Sequence, residues 1–113
     1  MEECMKITLF IVPAIVLIVG LISKIHPAKT INGTVGYRSK KSRSSQENWD
    51  KAQALMAKYM LIIGMVELVI AVIAFLMAGN MDKQQFLTVM MIVMAIQVCG
   101  LLVMFPLVES KLD

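Results

Sequence analysis

Charged and aromatic residues are scarce in this chain of 113 residues, at 17% and 6% of the sequence. Apolar residues make up 58%, and the mean hydropathy is +0.76, which is far too apolar for a soluble domain. The length allows one domain at most. These properties together predict an integral membrane protein.

Histidine and cysteine are nearly absent as well, which limits the chemistry that the chain can support. The single His26 has no cysteine near it in sequence, so a metal site is not expected. Cys4 and Cys99 lie at the first terminus and deep in an apolar block, and we expect no disulfide between them. Catalytic triads, glycine-rich nucleotide loops and the HExxH pattern are absent too. We therefore predict no enzyme, no cofactor and no catalytic residue.

Three long apolar blocks predict the fold. We assign transmembrane helices to residues of about 6–25, 59–79 and 85–108, each long enough for a hydrocarbon core of about 30 Å. The central parts of the first and third blocks carry no charge, and the second contains one carboxylate, Glu67. None of the blocks alternates apolar and polar residues as barrel strands do. The prediction is an all-α membrane domain with three spans.

Basic residues are concentrated between the first two blocks and predict the orientation. Residues 24–58 hold eight lysines and arginines against Glu47 and Asp50, whereas residues 80–85 hold one lysine and one aspartate. By the positive-inside rule, residues 24–58 and the C-terminus are expected in the cytoplasm and the N-terminus outside. The sequence pI of about 9.0 then reflects topology, and nucleic acid is not an expected partner.

The long connection is expected to combine a loop with a short helix. Residues 26–44, called the motif loop below, contain Pro27 and the turn dipeptide Asn32-Gly33, which favour extended and bent backbone. Ser44 and Glu47 have the spacing of a capping box that starts a helix. Apolar residues recur at helical spacing over residues 45–58, which predicts an interfacial helix that continues or kinks into the second span.

Part of this connection resembles the SdpI-like family of small bacterial membrane proteins. About twenty-two residues, from Asn32 to Gln53, follow the family pattern. The matching positions are Asn32, Gly36, Tyr37, Arg38, Ser42, Glu47, Trp49 and Ala52. Ser39 replaces the usual threonine, Lys40 stands where proline is common, and Gln53 stands where asparagine is common. One span before the pattern and two after it are also similar to the family.

The resemblance implies a protein of the bacterial cytoplasmic membrane with an immunity role. Its best-known member protects a producing cell from its own secreted toxin and sequesters a regulator in signalling. The expected partners are a peptide toxin or a regulatory protein. We expect the contacts to involve Asn32, Gly36, Tyr37, Arg38, Ser42, Glu47, Trp49 and Gln53.

Two interpretations of Arg38 stay open. It belongs to a basic cluster with Lys40, Lys41 and Arg43, and such clusters contact anionic lipid headgroups. A guanidinium in a Gly-Tyr-Arg turn also suits a phosphate or carboxylate ligand. Alternatively, Arg38 anchors the loop internally, with Glu47 as the candidate partner.

Glu67 is the most unusual residue within a predicted span. It lies on a helical stripe of small residues with Gly64, Ala71, Ala74 and Ala78, the kind of face at which helices approach closely. It is either functional, or a carboxyl that is kept neutral by desolvation or hydrogen-bonded to a helix partner, for which Gln97 is the candidate. The stripe also favours a homodimer. An alternative function is a small transporter or a lipid- or anion-binding membrane protein that uses Glu67 and Arg38, and a lipid-headgroup enzyme is a third, weaker hypothesis.

Overall fold

The structure, a computed structural model, describes residues 2–32 and 36–112, which contain several helices and no strand. The α-helices are α1 (Glu2–Ile7), α2 (Ile11–Ile25), α3 (Gln46–Met77) and α4 (Lys83–Glu109). Short 3₁₀ turns cover Thr8–Phe10, Ser42–Ser44 and Ala78–Asn80. The predicted turn at Asn32-Gly33 lies partly outside the described residues.

Three helical stretches are long and apolar enough to cross a membrane, which confirms the predicted fold class. They are Cys4–Ile25, Gln46–Asn80 and Lys83–Glu109. The bundle is elongated, with extents of 53 × 23 × 20 Å. Large apolar side chains such as Ile18, Val69 and Leu102 point outward from all three spans, as expected of surfaces that contact lipid.

The first span is interrupted near its start. The 3₁₀ turn Thr8–Phe10 separates α1 from α2, just before Pro13 in the first turn of α2. Proline lacks an N–H, so the carbonyl four residues earlier, that of Leu9, has no intrahelical donor from Pro13. In lipid such a group needs another partner. At the other end, α2 stops at Ile25, one residue before the His26-Pro27 pair.

Two glycines bring α2 and α3 close together. A Cβ on Gly20 would lie 3.2 Å from atoms of Met60 and Leu61 on α3. A Cβ on Gly64 would lie 2.8 Å from the Leu17 side chain on α2. The first span therefore packs closely on α3 through Gly20, and Gly64 makes the matching approach from α3.

Helix α3 runs unbroken over 32 residues, or about 48 Å at the α-helical rise, which exceeds the hydrocarbon thickness. Its N-cap is Ser45, whose extended backbone lets the side chain accept from the Asn48 N–H at 3.1 Å. The prediction of Ser44 as the cap was wrong by one residue. Ser44 is already part of a 3₁₀ turn, with its N–H bonded to the Lys41 carbonyl at 3.2 Å.

Helix α4 starts two residues before its predicted position. Asp82 is the N-cap and forms a capping box with Gln85, since the Gln85 N–H donates to Asp82 at 2.8 Å and the Asp82 N–H to Gln85 Oε1 at 3.2 Å. The two side chains thus accept from backbone N–H groups at the start of the helix that would otherwise lack partners. The helix contains Pro106 one turn before its end at Glu109.

The small-residue stripe of α3 faces the interior of the bundle, as predicted. All its members are buried: Gly64, Glu67, Ala71, Ala74 and Ala78. Its alanines pack with Leu9 of the first span and with Phe86 and Val93 of α4. The stripe is therefore covered within one chain, so a homodimer would have to use another face.

Candidate functional site

The first part of the motif loop is anchored on the start of α3. Trp49 has an exposed fraction of 0%, and its Nε1–H donates to the Ala28 carbonyl at 2.6 Å. One turn earlier, the Gln46 amide donates to the Lys29 carbonyl at 2.8 Å. Both bonds give a donor to backbone carbonyls that follow His26-Pro27, where α2 has ended. The loop therefore returns along α3 instead of extending away from the bundle.

Tyr37 and Gln53 form the central contact of the site. The Tyr37 N–H donates to Gln53 Oε1 at 2.8 Å, and the Gln53 Nε2–H donates to the Tyr37 carbonyl at 2.7 Å. Gly36, which precedes Tyr37, has a φ of +92°, a backbone conformation that residues with a side chain rarely adopt. A Cβ on Gly36 would also collide with Gln53 Oε1. Glycine at position 36 is thus required for the pairing.

The Tyr37 side chain connects the loop to α4. Its hydroxyl donates to Glu109 Oε1 at 2.9 Å, with the Phe105 carbonyl as a second acceptor at 3.2 Å. The rings of Tyr37 and Phe105 lie 5.7 Å apart between centroids. Burial, followed by the hydrogen bond to Glu109 and its charge, raises the pKa of Tyr37 to about 12. The phenol therefore remains a neutral donor at ordinary pH.

Ser42 closes the loop on itself. It is fully buried, its hydroxyl donates to the Ser39 carbonyl at 2.8 Å, and its N–H donates to Ser39 Oγ at 3.0 Å. Asn48 of α3 then holds the same turn by donating to the Lys41 carbonyl at 3.2 Å. Polar side chains on the first two turns of α3 thus hold both described parts of the motif loop.

A cleft of about 760 Å³ opens beside Tyr37. Its basic residues are His26, Arg38 and Arg43. The other lining side chains are mostly apolar and come from α2, α3 and α4: Val19, Ile22, Met56, Met60, Met104 and Phe105. A second cleft of about 900 Å³ lies between α2 and α3 and includes Lys24, Lys29, Lys58 and Asp50. Among the described residues, no cluster of three or more His, Cys, Asp or Glu is placed to hold a metal.

The structure brings together four of the eight predicted loop-site residues, Gly36, Tyr37, Ser42 and Gln53. Trp49 is buried and holds the first part of the motif loop through Ala28. Arg38 is exposed and lines the cleft. Glu47 is exposed on the first turn of α3, and Asn32 donates to the Thr30 carbonyl at 2.8 Å. That these residues contact a ligand or partner stays a prediction.

Two residues of α4 join the site without having been predicted. Glu109 and Phe105 both bind Tyr37, and they are four residues apart, so they share a helix face. The signal in the sequence was Glu109 itself, an isolated acid at the end of an apolar block. Its partner was not predictable because it depends on how the loop folds.

Gln97, the candidate partner of Glu67, is not bonded to it. Gln97 has an exposed fraction of 1%, and its Nε2–H donates to the Leu9 carbonyl at 3.2 Å, the group that Pro13 leaves without a donor. Glu67 has an exposed fraction of 2%, and neither of its oxygens has a hydrogen-bond partner among the described residues. Its Oε1 lies 3.1 Å from where a Cβ on Gly100 would be, so it faces α4.

The match to the family model of the SdpI/YfhL protein family covers residues 29–108, from near the start of the motif loop almost to the end of α4. The chain belongs to this family. Within it, the chain is similar to a Bacillus subtilis (strain 168) protein described as uncharacterized protein YfhL, at 32% identity over 98 residues. That alignment covers 87% of this chain and 79% of YfhL. No solved structure matches the chain.

The part of this SdpI/YfhL family member that the family model matches includes the Tyr37 site except for Glu109. It contains Gln53, which holds the Tyr37 backbone, and Phe105, which accepts from the Tyr37 hydroxyl. Glu109 lies one residue beyond the match. The loop and the two long helices therefore form the unit on which the family assignment rests.

Proposed function

We propose that this protein is a non-enzymatic membrane protein of toxin immunity or signalling, and that the motif loop is its recognition surface. The support is family membership together with one observation: Tyr37 is bonded simultaneously to α3 and α4. This double attachment fixes the backbone next to Arg38, so that an exposed guanidinium is presented from a rigid base. Rigid presentation reduces the entropy lost on binding.

The proposed location is the bacterial cytoplasmic membrane, with the N-terminus outside and residues 24–58 and the C-terminus in the cytoplasm. The excess of basic residues in 24–58 supports this orientation. A Lys40→Cys variant that lacks Cys4 and Cys99 tests it. Labelling by a membrane-impermeant thiol reagent only after the cells are opened is expected, and labelling of intact cells would reverse the topology.

The proposed partner is a peptide toxin or a regulatory protein that contacts the loop. Such a surface needs residues that contact the partner and residues that support the loop. Arg38 is exposed and would contact the partner, whereas Trp49 is fully buried and would support the loop. A homodimer remains part of the proposal, and because the small-residue stripe is covered internally, it would associate through a lipid-facing surface.

A protection assay tests the recognition role. Cells without their own immunity gene produce the chain and are exposed to the toxin of an SdpI-type immunity system. Arg38→Ala and Trp49→Ala should each lose protection while the amount of protein in the membrane stays constant. Lys51→Ala, which removes an exposed cation from α3, is the matched control. Full protection by both site variants would refute the role of the loop.

A second candidate, a proton-coupled small transporter, is favoured by Glu67. Its carboxyl is buried in a span and unpartnered among the described residues, a feature that often marks functional acids in membranes. If the protein is such a transporter, a pH gradient should drive uptake of its substrate into vesicles, and this uptake should disappear in Glu67→Gln. Protection that is lost in Arg38→Ala but kept in Glu67→Gln would favour the immunity proposal instead.

A further inference from the structure

We propose that the cleft beside Tyr37 binds one anionic phospholipid, with its phosphate against Arg38 and Arg43 and an acyl chain along the apolar wall. The inference goes beyond the proposed function, because such a site would be filled whether the loop recognises a toxin, a regulator or neither. It rests on the charge of the cleft, its apolar wall and its depth in the membrane.

The charge of the cleft is of one sign. Arg38 and Arg43 supply its positive charge, and none of its described lining residues is acidic. Guanidinium groups bind phosphate oxygens through paired, charge-assisted hydrogen bonds. Arg43 is positioned by the turn that Ser42 closes, since its N–H donates to the Ser39 carbonyl at 3.1 Å. The two guanidinium groups therefore belong to a folded segment.

The opposite wall of the cleft is apolar and open to the bilayer. Val19, Ile22 and Phe105 line it and are all exposed, so their side chains face lipid. Met56, Met60 and Met104 also line the cleft, and Met56 and Met104 are buried. Methionine is flexible and adapts to an irregular apolar ligand such as an acyl chain. A soluble anion would leave this wall without a function.

The position of the cleft along the helices matches the boundary between headgroups and hydrocarbon. On α2, the lining residues run from Val19 to His26, across the point where the apolar helix ends at Ile25. Val19 lies about 9 Å deeper in the membrane than Ile25 at the helical rise. The arginines belong to the loop beyond the span. A lipid in this cleft would thus keep its normal orientation.

The second cleft is a poorer site for the same ligand. It has three lysines, but the Asp50 carboxylate lines it as well, and Asp50 accepts from the Gln46 amide at 2.8 Å. A carboxylate beside the ligand repels a phosphate. Lysine also offers a point charge and lacks the planar fork of arginine. We therefore assign the lipid to the cleft at Arg38.

Native mass spectrometry of the full chain tests this assignment. The protein is reconstituted with phosphatidylglycerol or phosphatidylcholine of identical acyl chains and then released from detergent. One retained phosphatidylglycerol per chain is expected, with little phosphatidylcholine. Arg38→Gln/Arg43→Gln should reduce this occupancy about tenfold, since bonds to charged groups are removed. Lys40→Gln/Lys41→Gln removes the same charge from exposed residues that do not line the cleft. It should change the phosphatidylglycerol occupancy less than about twofold.

A second pair of variants tests the acyl-chain wall and does not touch the loop. Ile22→Trp fills the cleft and should lower phosphatidylglycerol retention, whereas Ile18→Trp, one turn earlier on the same lipid-facing helix, should not. Competition by glycerol phosphate without any effect of Ile22→Trp would assign the cleft to a soluble anion and overturn the proposal. Equal retention of both lipids, or equal losses in the two double variants, would also overturn it.

Discussion

Gln53 gives Tyr37 the two hydrogen bonds that a neighbouring β-strand would give it. Its amide accepts from the Tyr37 N–H and donates to the Tyr37 carbonyl, at 2.8 and 2.7 Å. A loop residue that is 3% exposed thereby satisfies its backbone without belonging to any sheet. The whole Tyr37 site depends on this one side chain of α3.

Gln53→Leu should destabilise the protein strongly. It leaves the buried Tyr37 N–H without a partner and its carbonyl with only the Ser42 hydroxyl, at 3.4 Å, at a cost of about 1 to 3 kcal/mol in the free energy of unfolding. Gln46→Leu is the control, because Gln46 is exposed and its acceptors are reached by water. Thermal unfolding in detergent measures both. Similar midpoints for the two variants would contradict the importance of the Tyr37 pairing.

Gly36→Ala should displace the motif loop, whereas Gly79→Ala should not. Position 36 has a φ of +92° and no room for a Cβ beside Gln53, while a Cβ on Gly79 has nothing within 4 Å. The single Trp49, which lies under the loop, reports the displacement through its fluorescence. A red shift and faster quenching by acrylamide are expected in the first variant alone. Unchanged Trp49 emission in Gly36→Ala would contradict the loop conformation described above.

Tyr37 should make the protein less stable at alkaline pH. The folded chain keeps the phenol proton up to a pKa of about 12, whereas an unfolded chain loses it at about 10.0. The folded state therefore binds more protons between these values, and its stability falls as pH rises through this interval. Tyr37→Phe should remove this fall.

The titration itself is observable by tyrosinate absorbance. In a Tyr59→Phe variant Tyr37 is the remaining tyrosine, and its absorbance should change near pH 12. A midpoint near 10.0 would show that Tyr37 is not buried and held against Glu109 as the structure has it.

Glu67→Leu should leave stability unchanged or increase it by up to about 2 kcal/mol, because it removes two buried oxygens that lack partners among the described residues. Gln97→Leu should reduce stability by about 1 to 2 kcal/mol, since it breaks the bond to the Leu9 carbonyl. Thermal unfolding in the same detergent compares them. A large loss in Glu67→Leu would mean that the carboxyl does have a structural partner.

Much of the fold was predictable because the membrane simplifies the problem. Apolar blocks of sufficient length have to be helices, and the small residues around Glu67 had to face other helices. Both predictions are confirmed. The start of α3 was not predicted correctly, because Ser44 and Ser45 have the same capping chemistry and only the preceding 3₁₀ turn decides between them.

The site was less predictable because its contacts are long-range. The loop pattern indicated Tyr37 and Gln53 as important. Their mutual pairing depends on the positive φ of Gly36, and a backbone angle cannot be read from the sequence. The partner of Gln97 illustrates the same limit. Its amide satisfies the carbonyl that Pro13 leaves without a donor in another span, so the relevant signal was a proline 84 positions away in the sequence.

Helix α3 also connects the motif loop mechanically to the interior of the bundle. Trp49 under the loop and Glu67 in the bundle lie on the same unbroken rod, about 27 Å apart at the helical rise. The rod contains no proline at which it would hinge. A force that tilts its loop end therefore also shifts the Glu67 layer against Gly100, so the water-exposed and lipid-embedded parts of this protein respond together.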